Sequence, residues 1–176
     1  NNDNFDIEIE ADGLITNNFS IGLGILTADC APIFIFDKKK SFICCLHAGW
    51  RGTLSKIVEK ALNIILKKYT KNLNDIIVII GPCLNQNNFE VDNKFKNNFI
   101  KLNQKYEIFF KKKNDKKDLF DMRKVINFQF KNMNLKNIFN LNEDTYHNEG
   151  LFFSYRRSLH RNLSEKRRMI NIISFE

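Results

Sequence analysis

The stretch Ser41-Phe42-Ile43-Cys44-Cys45-Leu46-His47-Ala48-Gly49-Trp50-Arg51-Gly52 changes character halfway along. Its first half is a short, nearly continuous apolar run, the pattern of a buried strand. Beyond Gly52 the period lengthens. Leu54, Ile57, Val58, Ala61, Leu62 and Ile65 fall at i, i+3, i+4, i+7, i+8 and i+11, with Lys56, Glu59, Lys60 and Asn63 between them. That spacing predicts one amphipathic helix starting within two residues of Gly52. A buried strand feeding a helix through a glycine-flanked corner means that a helix covers a sheet.

Working outward, Ile21 to Leu26 and Pro32 to Phe36 read as further buried strands, and Phe5, Ile7 and Ile9 alternate as a half-buried one. Ile76 to Ile80 is an apolar strand closed by Gly81-Pro82. Asp92 to Leu102 and Asp118 to Met133 read as helices, the first with Phe95, Phe99 and Leu102 on one face. Tyr106 to Phe110, Asn137 to Leu141 and Met169 to Phe175 read as strands. Neither repeats nor a linker divides the chain. Strands and helices mix without strict βαβ alternation, which favours an α+β single domain, mixed β-sheets flanked by helices, across residues 1–176.

Hydrophobic residues make up 43% and charged residues 27% of the 176 residues, a globular composition. No apolar run reaches the roughly 18 residues of a membrane span. The first residues lack a basic start and an apolar h-region, so a cytoplasmic protein is expected. The chain opens on Asn1, and a start further upstream is expected. The net charge of +8 could suit an anionic ligand or nucleic acid. Lys and Asn are abundant throughout, however, and the densest run, Lys111 to Lys117, reads as a solvated loop. No aromatic-interleaved basic motif of an RNA-binding surface is present, so nucleic acid is not an expected partner. The four cysteines are expected to be reduced, and Cys44 and Cys45, adjacent on a strand, to face opposite sides.

Three segments stand apart from core and surface. They are Leu26-Thr27-Ala28-Asp29-Cys30-Ala31-Pro32, His47-Ala48-Gly49-Trp50-Arg51-Gly52 and Phe152-Phe153-Ser154-Tyr155-Arg156-Arg157. Glycines flanking Trp50-Arg51 let the backbone turn sharply and approach a ligand closely. The following helix start offers free N–H groups to an anion. Cys30 and His47 suit zinc as thiolate and imidazole. The same pair could serve as a nucleophile and its base. On spacing alone, a buried cysteine and a locally satisfied histidine explain them better. Two residues do not complete a catalytic zinc site, which takes three protein ligands. Trp50 taken alone reads as a core aromatic, and Arg156 and Arg157 as either a solvated basic edge or an anion site.

Taken together, the blocks resemble the YfiH family, also called the multicopper polyphenol oxidase or laccase-domain family and grouped as purine nucleoside phosphorylases. The matching blocks run in order from Glu10-Ala11-Asp12-Gly13-Leu14 through Thr27-Ala28-Asp29-Cys30 and the His47–Gly52 hexapeptide. They continue through Ile80-Gly81-Pro82-Cys83, Phe89-Glu90-Val91, Asp144-Thr145-Tyr146 and Phe153-Ser154-Tyr155-Arg156-Arg157. The resemblance implies a zinc held by His, Cys and His. Cys30 matches the Cys and His47 the second His, while the first His lies in a Gln-x-His segment upstream of Glu10 that this chain does not contain. The chain is therefore expected to lack one ligand and to bind zinc weakly or not at all by itself. Some relatives carry Cys at Asp144, and Arg167 stands where a Gly usually precedes the match to Arg168.

The activities implied are phosphorolysis of adenosine, inosine, guanosine and methylthioadenosine, and hydrolytic deamination of adenosine. A zinc with an open position suits deamination because it lowers the pKa of water. Phosphorolysis needs an anion site, for which Arg51 and Arg156 are candidates. Asp29 could shuttle a proton or hold its loop, and Trp50 or Tyr155 could stack on the purine. The alternatives are a copper polyphenol oxidase, a Cys–His amide hydrolase using Cys30 and His47, and a metal-free interaction module. With only three histidines the chain is poorly equipped for multicopper chemistry.

Overall fold

The computed structural model describes residues 10–164 and 167–176. The alternation at Phe5, Ile7 and Ile9 lies outside the described residues. In chain order the elements are β1 (Gly13–Thr16), β2 (Leu23–Thr27), β3 (Ala31–Asp37), β4 (Ile43–Ala48), α1 (Trp50–Leu54), α2 (Ile57–Lys68) and β5 (Ile76–Ile80). There follow β6 (Glu90–Asp92), α3 (Asn93–Leu102), β7 (Phe110–Lys112), β8 (Lys117–Phe120), α4 (Met122–Asn132), β9 (Ile138–Asn140), α5 (Tyr155–His160) and β10 (Met169–Ile173). A five-stranded sheet runs β1-β4-β3-β5-β9, with β9 parallel to β5 and the other pairs antiparallel. The pairs β10-β2 and β6-β8-β7 form two smaller sheets. The architecture is the mixed α+β expected from the sequence.

The two-residue period of β3 and β4 divides the interior. Ile33, Ile35, Cys44, Leu46 and Ala48 join the core beneath α2 and α4. Ile43 and Cys45 join a second core with Leu23 and Ile25 of β2. Cys44 and Cys45 thus face opposite sides, and all four cysteines are free.

The helical face predicted after Gly52 is real, but its continuity is not. Val58, Ala61, Leu62 and Ile65 are buried, Val58, Leu62 and Ile65 each contributing about 1.5–3 kcal/mol of apolar burial, while Leu54 and Ile57 pack against the same core from partly buried positions. Helical backbone begins at Trp50, breaks at Ser55 and Lys56, and resumes at Ile57. Lys56 takes a left-handed φ of 61°. Thr53 and Ser55 return their hydroxyls to the carbonyls of Gly49 and Gly52, a local bonding that competes with the helical ladder.

Two other segments depart from the sequence reading. Asp118 to Phe120 belong to β8, because Asp121 ends the strand and caps α4 by accepting from the Lys124 N–H. Gln104–Phe109 forms a 3₁₀ turn that seats Tyr106 and Phe109 in the core, and extended backbone begins only at Phe110.

Gly81 ends β5 against Pro32. A Cβ there would lie 2.7 Å from Pro32 Cγ, closer than any real contact. Gly81→Ala is expected to destabilise the fold by about 1–3 kcal/mol through overpacking. An unchanged denaturation midpoint would show that the β3–β5 contact is looser than described.

Candidate functional site

The register of β3 on β4 opposes Ala31 with Ala48 and Pro32 with His47. Cys30, one residue before β3, therefore meets Gly49, one residue after β4, at the same end of the sheet. A Cβ on Gly49 would stand 3.0 Å from Cys30 Sγ and 3.8 Å from His47 Nε2. The absence of that atom leaves an open cradle between thiol and imidazole. Gly49 has an ordinary φ of −78°, so close approach, not a sharp turn, is what glycine provides here. His47 is held from β1's side. Its N–H donates to the Asp12 carbonyl at 2.7 Å, and its Nδ1 lies 2.9 Å from Asp12 Oδ1.

A cavity of about 470 Å³ opens over this cradle, within the size range of small-molecule sites. Asp12, Cys30, His47, Trp50, Tyr155 and Arg156 contribute to its wall, as do Asp29 and Arg51. All seven residues selected from the sequence therefore converge on one pocket. Asp12 has no role in the expectations drawn from the sequence, and the structure adds it to the site.

The side chains differ in how far they are committed. Asp29 is buried, with a left-handed φ of 82°. Its carboxylate accepts from the Thr145 hydroxyl and from the Arg156 backbone N–H, both at 2.6 Å. Both oxygens thus tie the β2–β3 corner to the segment entering α5, which favours the loop-holding role. Arg156 donates through Nη1 to the Glu90 carbonyl at 3.0 Å and lies 5.6 Å from the Phe89 ring centre. Arg157 is buried and donates to the carbonyls of Thr145, Tyr146 and Phe152, making it a structural strut.

Trp50 leans on Phe95 at 5.1 Å and carries the Arg51 guanidinium 4.5 Å from its own ring centre. Tyr155, 51% exposed at the rim, is the freer aromatic for a ligand ring. The anion seat expected at a long helix is altered: α1 spans five residues, and α2 begins only at Ile57. Short helices sum few peptide dipoles, so side chains must supply most of any anion binding here.

Burial, with the charges of Asp29, Cys83 and Asp12 adding to it, pushes the Cys30 thiol up to about 11, with Arg168 opposing. This is the wrong direction for an activated cysteine nucleophile, which needs a depressed pKa. Among the described residues no group of three or more His, Cys, Asp or Glu side chains could hold a metal. His160 Nδ1 is engaged by the Tyr146 hydroxyl at 2.9 Å, and His147 stands edge-on to the same ring. Cys30 and His47 nevertheless fit zinc as two ligands of a three-ligand site. They offer sulfur and nitrogen donors around a space that a single Cβ would fill. Asp144 is instead occupied with the Asn85 N–H, the Asn88 amide and the Tyr146 N–H.

Residues 2–176 match the family model described as multi-copper polyphenol oxidoreductase laccase. A protein named purine nucleoside phosphorylase from Rickettsia prowazekii is 31% identical over 167 residues, covering 93% of this chain and 68% of that protein. One of the same name from Clostridium acetobutylicum is 35% identical over 154 residues, covering 85% of this chain and 62% of its own length. Among solved structures, a Neisseria meningitidis protein superposes with a TM-score of 0.87 at 21% identity, over 98% of this chain and 67% of that one. Bacillus licheniformis YfiH gives 0.86 at 24% identity, over 94% and 61% respectively. The chain thus spans between six tenths and seven tenths of the length of these relatives.

Proposed function

The chain belongs to the multi-copper polyphenol oxidoreductase laccase family, and from that membership we propose that its pocket serves the phosphorolysis of purine nucleosides. The observation that carries the proposal is the convergence of Cys30, His47, Tyr155, Arg51 and Arg156 on one cavity of nucleoside size, in a chain whose curated relatives are named purine nucleoside phosphorylases.

Cys30 and His47 would hold a zinc ion, which, when bound, supplies a Lewis acid at the mouth of the pocket. Tyr155 offers an exposed ring face to the purine. Arg51, free to swing from the Trp50 face, pairs with phosphate as a planar donor. Arg156 is anchored by one amino group on the Glu90 carbonyl, so its remaining donors are pre-positioned rather than mobile. Asp29 keeps the Arg156 backbone in place. The same pocket would also take adenosine for deamination, visible as inosine in the assay below.

With inorganic phosphate supplied, the full-length protein should convert adenosine, inosine, guanosine or methylthioadenosine in a chromatographic assay that also offers amide substrates. Release of purine base is the expected result. Turnover of an amide, metal-independent and stopped by a thiol alkylator, with every nucleoside untouched, would replace this reading with the Cys–His hydrolase.

A further inference from the structure

Asp12 carries no role in the reading above, yet its position is tightly set. The β1–β4 ladder pairs Gly13 with Leu46 and Leu14 with Cys45. The next pair outward is Asp12 with His47, and the backbone bond from His47 N to Asp12 O at 2.7 Å extends the ladder to it. Directly opposed residues on antiparallel strands place their side chains together on one face. The 2.9 Å contact between Asp12 Oδ1 and His47 Nδ1 is the consequence.

A carboxylate can only accept a hydrogen bond, so the bonded ring nitrogen must carry the hydrogen. Neutral imidazole then has its lone pair on Nε2. That atom lies 3.8 Å from the point a Cβ on Gly49 would occupy, and Cys30 Sγ lies 3.0 Å from the same point. We propose that Asp12 is a positioning residue: it fixes the Nδ1–H tautomer of His47 and thereby aims the Nε2 lone pair into the Cys30–Gly49 cradle. The proposal rests on the zinc reading for its consequence in metal affinity, but not for its consequence in tautomer.

Asp12 is two-thirds exposed and its ladder bond uses backbone atoms, so replacing its side chain leaves the strand pairing intact. In Asp12→Asn the amide oxygen can still accept from Nδ1–H; in Asp12→Ala nothing can. The experiment uses the full-length protein and both variants, with two readouts. The first is the ¹⁵N spectrum of the His47 ring in metal-stripped protein, well above the ordinary imidazole pKa of about 6.5. The second is the zinc dissociation constant from competition with a chromophoric chelator. The wild type should show the Nδ1–H form, Asp12→Ala should gain the Nε2–H form, and Asp12→Asn should restore the wild-type pattern. Zinc should bind about 10–100-fold more weakly to Asp12→Ala, with most of the loss recovered in Asp12→Asn. An unchanged tautomer in Asp12→Ala overturns the proposal, whether or not zinc affinity falls, because a merely structural residue would leave the tautomer alone. A wild type that takes up no zinc while its tautomer still depends on Asp12 supports the positioning role and sinks the zinc reading separately.

Discussion

Replacing Cys30 or His47 by alanine in the full-length protein is expected to lower purine nucleoside turnover by about 10²–10³-fold, the scale set by removing electrostatic assistance at a reacting centre. Bound zinc should fall in parallel. The fold should survive, because neither side chain lies in the core: both are only partly buried at the strand ends beside Gly49. Gly49→Ala offers a subtler version of the same test. Both donors remain, but the added Cβ would press on Cys30 Sγ at 3.0 Å and occupy the cradle. It should reduce activity towards that of the ligand variants while circular dichroism stays native. Full activity in Gly49→Ala together with loss in Cys30→Ala would mean that the space between the two residues is not where the chemistry occurs.

Asp29 should fail in a different way. Its carboxylate accepts two hydrogen bonds at 2.6 Å from a buried position, and its own backbone sits at a φ of 82°. Hydrogen bonds to a charged group are worth about 1.5–3 kcal/mol each, and left-handed backbone costs an ordinary residue about 1–2 kcal/mol. Asp29→Ala removes both bonds and leaves Thr145 and the Arg156 N–H unpaired. A stability loss of about 3–5 kcal/mol is expected, measured by denaturant titration. Asp29→Asn keeps the shape, the tolerance for left-handed backbone and one good acceptor, so it separates the two roles. If Asp29 holds the corner, Asp29→Asn loses stability and activity together, and stabilising conditions recover both. If it shuttles a proton, Asp29→Asn melts like the wild type and turns over poorly.

The strand–corner–helix reading of residues 41–65 was legible because burial on a sheet and burial on a helix impose different periods. What the period cannot see is a single left-handed residue. The apolar positions of α1 and α2 stay in phase across Lys56, so the break leaves no trace in the pattern. Asp118 to Phe120 were misread because their strand is short and runs straight into a helix, so Phe120 and the apolar residues of α4 merged into one apparent stretch. The 3₁₀ turn at Tyr106 shows the same limit: aromatic-rich segments fit a strand by propensity until tertiary packing decides. Within the site, residue type alone leaves Cys30, His47 and Trp50 as ordinary core residues, and the ordered blocks of the family resemblance are what single them out. Asp12 could not be given a role, because a carboxylate acquires its partner only through the β1–β4 register. Of the two properties that glycine offers at Gly49, the close approach is used and the sharp turn is not, because its φ is an ordinary −78° and its missing side chain is what leaves the space beside Cys30.

The most direct test of the account is the identity of the sugar product. Full-length protein, incubated with inosine and inorganic phosphate, should release hypoxanthine and an equal amount of ribose 1-phosphate, followed together by chromatography and ³¹P NMR. The His47→Ala variant should release neither. Free ribose in place of ribose 1-phosphate, or equal yields from the wild type and His47→Ala, would contradict phosphorolysis at the Cys30–His47 pocket.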